Sequence, residues 1–238
     1  MQDIAVSLII PVWRDSVALA ALLQQLSVLP WSLAEVIVVD GEHNLHNEQL
    51  CRHYRARYLV SERGRGRQLN TAARQASGNW LWFVHADSVL LPQALPNLQQ
   101  VASGSARAGY FRFRFQPPHR YWHRWLEAAI ALRVCLSMMV YGDQALFVQR
   151  TAFHQAGGFA EQPLFEEVAL VQALRASGGL RCAGDGVLVA TRRWDSDGWL
   201  RRTLSNRMLA TAHLLGISAA TLHRWYTSGR ACKEQANE

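Results

Sequence analysis

Apolar positions along the chain fall into two periods. Three runs, Ser7–Trp13 (SLIIPVW), Glu35–Asp40 (EVIVVD) and Trp80–Asp87 (WLWFVHAD), are almost continuously apolar and rich in β-branched or aromatic residues, as in strands covered on both faces. Between them the spacing becomes helical. Asp15 and Ser16 are cap candidates for a helix from about Val17 to Ser27, and Asn70–Ser77 reads as a helix closed by Gly78. This alternation predicts an α/β fold, with a mostly parallel central sheet, helices on its faces and right-handed crossovers. Beyond Asp87 the pattern predicts a helix from Pro92 to about Ser103, a half-exposed strand Tyr110–Phe115 (YFRFRF) and an amphipathic helix Tyr121–Val140. A strand Ala145–Gln149, a short helix from Thr151 to Gly157, a helix Phe165–Ser177 and a strand Val187–Thr191 follow. Two helices, Leu200–Leu215 and Ser218–Tyr226, are separated by Gly216. With neither a repeat nor a low-complexity linker, residues 1–238 are expected to form one domain.

Hydrophobic content of 50% suits a folded protein and argues against disorder over most of the length. The net charge of +7 favours anionic partners: nucleotides, phosphorylated lipids, membrane surfaces or nucleic acid. Lys233 is the only lysine, so the positive charge is almost all arginine, the side chain suited to bidentate phosphate recognition. Cys51, Cys135, Cys182 and Cys232 are scattered with no CxxC pair, which speaks for free thiols in a reducing compartment rather than a zinc site or a disulfide framework. The sequence opens without a secretory signal pattern, and the apolar stretch Leu126–Val140 contains Glu127 and Arg133 and is too short to span a bilayer. A cytoplasmic protein is expected, with peripheral contact to the inner face of a membrane still open.

Two strands end on acids, Asp40 and Asp87, at the sheet edge where open α/β folds bind ligands. A nucleotide laid across that edge would meet both; the plainer alternative is that each caps a loop or helix. Between them lies Arg63–Asn70, RGRGRQLN, directly before a helix. Glycine allows close backbone approach and a helix N-terminus favours an anion, but the GK[ST] ending of a Walker loop is absent, and a solvated basic turn is the alternative. Further on stand Gly142, Asp143 and Gln144 before a strand, then Gly157, Gly158 and Phe159 at a turn. Glu166 and Glu167 open a helix, where the macrodipole alone would favour acids. Arg192, Arg193 and Trp194 follow the last expected strand.

In this order, SLIIPVW, VVDG, RGRGRQLN, HAD, GDQ, GGF with FEE, and RRW resemble the family 2 glycosyltransferases of GT-A fold, from about Ser7 to Trp194. More narrowly, the chain looks like a small bacterial subgroup associated with arsenosugar or radical-enzyme gene neighbourhoods. The resemblance implies a nucleotide-sugar half to about residue 115 and an acceptor half with C-terminal helices. It implies that Pro11 and Trp13 lie at the nucleotide edge, that Asp40 addresses the base, and that Arg63, Arg67 and Gln68 line the base or diphosphate. Asp87 would hold the divalent cation, Mg²⁺ or Mn²⁺, that bridges the donor's phosphates. Asp143 would contact donor sugar or acceptor, Arg193 a phosphate and Trp194 a sugar face.

The sequence departs from the family in two places. His85 occupies the first acid position of a DxD-like triplet, which leaves two readings, a weaker metal site or a His85 that contacts ribose rather than the ion. Glu167 stands where the family has its general base as an aspartate, with Glu166 as an orienting neighbour. The implied activity is a metal-dependent, inverting transfer from a nucleoside-diphosphate sugar to the hydroxyl of an unknown acceptor, small or lipid-linked. An inactive nucleotide-sugar binding protein on the same fold is the alternative if both acidic motifs have drifted. A nucleic-acid binder is suggested by the pI of about 9.7 and by Ser218–Tyr226, which resembles half a helix-turn-helix. The arginines are dispersed among acidic motifs rather than forming one stripe, so no nucleic-acid partner is expected.

Overall fold

The computed structural model describes residues 4–117, 121–137, 139–191, 198–214 and 216–225. The three apolar runs form strands β1 (Val6–Val12), β2 (Glu35–Asp40) and β4 (Trp80–Phe83), with β3 (Arg57–Val60) on the outer edge. Strands β5 (Ser88–Leu90), β6 (Ala108–Tyr110), β7 (Phe147–Gln149), β8 (Leu180–Cys182) and β9 (Val187–Val189) follow in the chain. The central sheet has seven strands in the order β3-β2-β1-β4-β7-β6-β8, and β5 and β9 form a separate antiparallel ribbon. Strands β1 to β4 run parallel, β7 is antiparallel to both its neighbours, and β6 and β8 are parallel. The expected mostly parallel sheet is therefore present.

Both faces of the sheet are covered, which explains why its strands read as unbroken apolar runs. The helices are α1 (Ser16–Val28), α2 (Leu45–His53), α3 (Arg65–Gln75), α4 (Ala94–Ala102), α5 (Tyr121–Ser137), α6 (Arg150–Gln155), α7 (Val168–Ala176) and α8 (Trp199–Leu214). Residues 219–225 are also helical. Successive strand residues alternate between faces. Ile9, Ile37, Leu81 and Phe83 pack with Leu69 and Ala73 of α3 and Leu170 of α7; Leu8, Ile10, Val38 and Trp82 pack with Leu19 and Leu22 of α1 and Leu98 of α4. Asp15 caps α1 by accepting from the Ala18 amide at 3.3 Å, as its position predicted.

Several boundaries move, each for a physical reason. The chain leaves the sheet at Phe83, so Val84–Asp87 form the turn into β5 rather than the end of a strand. Helix α3 starts at Arg65, not Asn70, and draws the basic segment into its first turn. The YFRFRF segment contributes only its start to the sheet, yet its alternation persists: Phe111, Phe113 and Phe115 are buried while Arg112 and Arg114 turn outward to Asp185. Helix α2 and strands β3 and β8 lack a readable apolar pattern. Among its residues α2 buries only Asn47 and Cys51, and β3 is an edge strand with exposed ends.

Candidate active site

Helix α3 fixes the carboxyl edge of the sheet and the acidic loop opposite it. Gly64 precedes the helix at φ +142°, a conformation that favours glycine. In the first turn, Gly66 lies so close to the 160–166 loop that a Cβ would stand 2.2 Å from the Ala160 carbonyl oxygen. That approach brings Arg65 Nη1 to 3.1 Å from Glu166 Oε1. Gln68 Nε2 donates to the carbonyls of Val12 and Val39, both at 2.9 Å, and so ties the ends of β1 and β2 together. Asn70 donates to the Phe159 carbonyl at 2.9 Å and accepts from the Phe159 amide at 3.0 Å, holding the GGF turn. Asn70→Ala would leave both backbone groups without their partner. It is expected to cost about 1–3 kcal/mol, read as a lowered midpoint in urea with an unchanged slope.

The acids that α3 positions are deeply placed. Glu166 and Glu167 are buried just before α7; Glu167 Oε1 accepts from the Gly142 amide at 3.1 Å, while its Oε2 is buried without a hydrogen-bond partner. Asp143 Oδ1 is likewise buried and unpartnered. Burial, with the charge of Glu166 added, pushes the Glu167 carboxyl up to about 7, against the opposing pull of Arg65 and the Gly142 amide. Burial also raises Asp143, against Arg133 and Arg65. For Arg65, desolvation works against the charge, but Glu166, Glu167, Asp143 and Asp87 outweigh it and hold the guanidinium charged. The Arg65 side chain stays 43% exposed and keeps part of its head open to the cleft.

The enclosed part of that cleft is lined by Pro11, Phe83 and Val84 from the sheet edge, Arg65 and Leu69 from α3, and His85, Tyr141, Gly142, Glu166 and Glu167. The 3-10 turn Gly142–Gln144 is pinned by Gln144, whose Nε2 donates to the Phe111 carbonyl at 3.3 Å. His85 turns toward this segment: a Cβ on Gly142 would stand 3.1 Å from its Nε2. Arg133 stacks over the Tyr141 ring with its guanidinium carbon 4.4 Å from the centroid.

A second, more open region lies at the ends of β1 and β2. Trp13 is 37% exposed, with the Arg63 guanidinium carbon 3.8 Å and that of Arg14 5.0 Å from its ring centroid. Arg14 Nε donates to Glu42 Oε2 at 3.1 Å, so the rim is cross-linked.

Three expected positions have a different placement from the one implied by resemblance. Asp40 is fully buried: Oδ2 accepts from Asn47 Nδ2 at 2.7 Å and Tyr58 Oη at 3.0 Å, and Oδ1 accepts from the Glu42 amide at 3.2 Å. Through these bonds it organises the loop beside Trp13. Gln68 is turned inward to the two strand carbonyls. Arg67 points along the surface to Glu161 and Glu62, because residues two apart on a helix face different ways and Arg65 takes the inward position. Arg193 and Trp194 lie outside the described residues. Pro11, His85, Glu166 and Glu167 line the cleft together, and Asp143 and Asp87 lie within electrostatic reach of Arg65. Sequence reasoning missed Arg65 and Arg133. Three alternating arginines look equivalent in a loop, and only the helical start aims one of them at the acids of the cleft.

Among the described residues no group of three or more His, Cys, Asp or Glu gathers to hold a metal ion. Asp87 is a half-buried oxygen donor at the turn beyond β4. One carboxylate suits a hard divalent cation whose remaining ligands are diphosphate oxygens and waters, so the donor set fits a cation arriving with its phosphates.

The family model for glycosyl transferase family 2 matches residues 7–160. No curated protein matches the sequence. Among solved structures, S. aureus TarS 1-349 superposes with a TM-score of 0.61 at 15% identity, over 79% of this chain and 60% of that one. Glucosyl-3-phosphoglycerate synthase from Mycobacterium tuberculosis, in complex with Mn²⁺, uridine diphosphate and glucosyl-3-phosphoglycerate, gives 0.60 at 16% identity over 90% and 81%. Mannosyltransferase PcManGT from Pyrobaculum calidifontis, in complex with GDP-Man and Mn²⁺, gives 0.56 at 20% identity over 74% and 53%. The chain thus spans about three fifths of the TarS fragment, and at these identities the likeness is one of fold. With the GT-A arrangement in place and the family's model matched across residues 7–160, the chain belongs to glycosyl transferase family 2.

Proposed function

We propose that this protein transfers a hexose-like sugar from a nucleoside-diphosphate sugar to an acceptor hydroxyl, with inversion and with Mg²⁺ or Mn²⁺ at Asp87. The observation that carries the reading is Glu167: a buried carboxyl raised to about 7, one oxygen held by Gly142 and the other unpartnered at the cleft. Such a group is ionised in a useful fraction at neutral pH and basic enough to take a proton. In the proposed step the acceptor oxygen attacks the anomeric carbon, its proton passes to Glu167, and the bond to the nucleoside diphosphate breaks on the opposite face. Glu166 and Arg65 hold Glu167 in place, and Asp143 faces the sugar or the acceptor. Trp13 and Arg63 offer a planar, cationic rim to the base, while the roles of Arg193 and Trp194 rest on the motif order alone. A divalent cation bound at Asp87 would supply neutralisation of the charge on the departing diphosphate.

The donor class is supported by the complexes of structurally similar enzymes: TarS 1-349 with UDP-GlcNAc and PcManGT with GDP-Man. The order of motifs further supports the small arsenosugar- or radical-enzyme-associated subgroup. Calorimetry with uridine and guanosine diphosphates, with and without Mn²⁺ or Mg²⁺, tests the donor site. One diphosphate is expected to bind more tightly with metal, and Asp87→Ala to remove that increment, about tenfold or more. Absence of diphosphate binding under every metal condition would overturn the proposal.

A further inference from the structure

Helix α5 covers the core with one face and leaves the other bare. His123, Glu127 and Val134 are buried, and Leu126 and Ile130 pack with Phe113, Phe115 and Trp199. On the opposite side Tyr121, Trp125, Leu132 and Leu136 are all exposed, Trp125 at 78% and Leu136 at 76%. At 3.6 residues per turn these four fall within about 60° of arc. The other exposed positions of the helix are Arg124, Ala128, Ala131 and Cys135, so arginine supplies the only charge on this face. Glu127, the only acid in the α5 sequence, is withdrawn inward and held by Arg114 and the Phe115 amide.

Helix α8, whose first residue Trp199 packs on Trp122 and His123, has the same character. Leu204 and Met208 are exposed one turn apart beside Arg207, and Trp225 is exposed beyond them. From Trp199 to Lys233 the sequence contains no Asp or Glu. On α5 the large apolar side chains form one stripe with Arg124 beside it and no exposed acid on the helix, which is not the usual scatter of surface hydrophobics. No helix among the described residues is long and apolar enough to cross a membrane.

We propose that the exposed faces of α5 and α8 seat this protein on an anionic lipid bilayer, with Trp125, Leu132, Leu136 and Met208 entering the interface. Tyr and Trp favour the headgroup boundary, and arginine can bury its stem while its head meets phosphate. The charge selects lipid over a second copy of the chain. An isologous dimer would set this basic face against itself, with Arg124 and Arg207 repelled, whereas acidic headgroups complement both and the overall +7. The surface is separate from the cleft, so this inference stands whether or not sugar transfer does.

Sedimentation of the full chain with vesicles tests it. Vesicles of phosphatidylcholine containing about 30% phosphatidylglycerol are expected to bind about tenfold more protein than pure phosphatidylcholine, and added salt to reduce the difference. The triple variant W125S/L132S/L136S should lose about tenfold in partitioning or more, and Arg124→Glu should weaken the preference for anionic vesicles. Both variants keep the wild-type melting temperature, since the altered side chains are exposed. Failure of the wild type to bind anionic vesicles, or undiminished binding by the triple variant, would overturn the proposal. A concentration-dependent dimer that the triple variant abolishes would assign the face to a second copy instead.

Discussion

Glu167→Gln is expected to lower turnover by roughly 10²–10⁴-fold while leaving nucleoside-diphosphate affinity within about twofold of wild type. Gln keeps the volume and can still accept from the Gly142 amide, so the 3-10 turn and the cleft wall should stay in place; what it cannot do is take a proton. The pH dependence separates this role from a structural one. In the wild type, turnover should rise with pH through about 7, because the reactive form of Glu167 is the ionised one. Stability should move the opposite way. The carboxyl's ordinary value is 4.5 and its value in the fold is raised, so the folded state binds the proton more tightly than the unfolded chain does. The contribution of Glu167 is therefore fully present below about pH 4.5 and is lost as pH rises through about 7. Denaturant midpoints measured for wild type and variant across that window isolate it, since other titrating groups are common to both. Turnover that stays within tenfold in Glu167→Gln, or a pH profile the variant leaves unchanged, would remove Glu167 from the chemistry.

The same residues show what could be read in advance. β1, β2 and β4 were legible because burial on both faces leaves a mark that needs no partner: a run such as LII or IVV is unfavourable anywhere else. β3 left no such mark, since Arg57 and Val60 are exposed at a sheet edge and only the pairing with β2 makes the segment a strand. The convergence of Glu166, Glu167 and Asp143 was legible only through the order of motifs, as more than twenty residues separate Asp143 from Glu167 and a turn in the fold brings them together. The roles of Asp40 and Gln68 were not legible at all. A polar residue at a sheet edge looks the same in sequence whether it faces a ligand or its own loop. Asn47, Tyr58 and the two strand carbonyls decide the matter, and each comes from an element whose position depends on the assembled sheet.

Gly66→Ala is expected to destabilise the fold and weaken activity although Gly66 does not line the cleft. Two effects compete. In an exposed helix the change would stabilise by about 1 kcal/mol, because alanine has the higher helix propensity. Here the added Cβ would stand 2.2 Å from the Ala160 carbonyl oxygen and 3.4 Å from the Glu166 Cβ. The first contact is with backbone, which has no rotamer to escape into, so helix and loop must separate. Overpacking of this kind costs about 3 kcal/mol, which exceeds the propensity gain and should lower the melting temperature by roughly 5–10 °C. Separation also pulls Arg65 away from Glu166 and loosens the Asn70 clamp on Phe159, so activity should fall at temperatures where the protein is still folded. Gly104→Ala is the matched control: its nearest contact for a new Cβ is the Val101 carbonyl oxygen at an ordinary 3.5 Å, and it should change neither quantity by much. If the two alanine variants melted together and retained equal activity, α3 would not be seated against the acid loop as described. The basic RGRGRQLN segment would then return to being a solvated turn. If they diverge, the second of its glycines is there because a helix must touch a loop, and the arginine before it reaches the acids as a result.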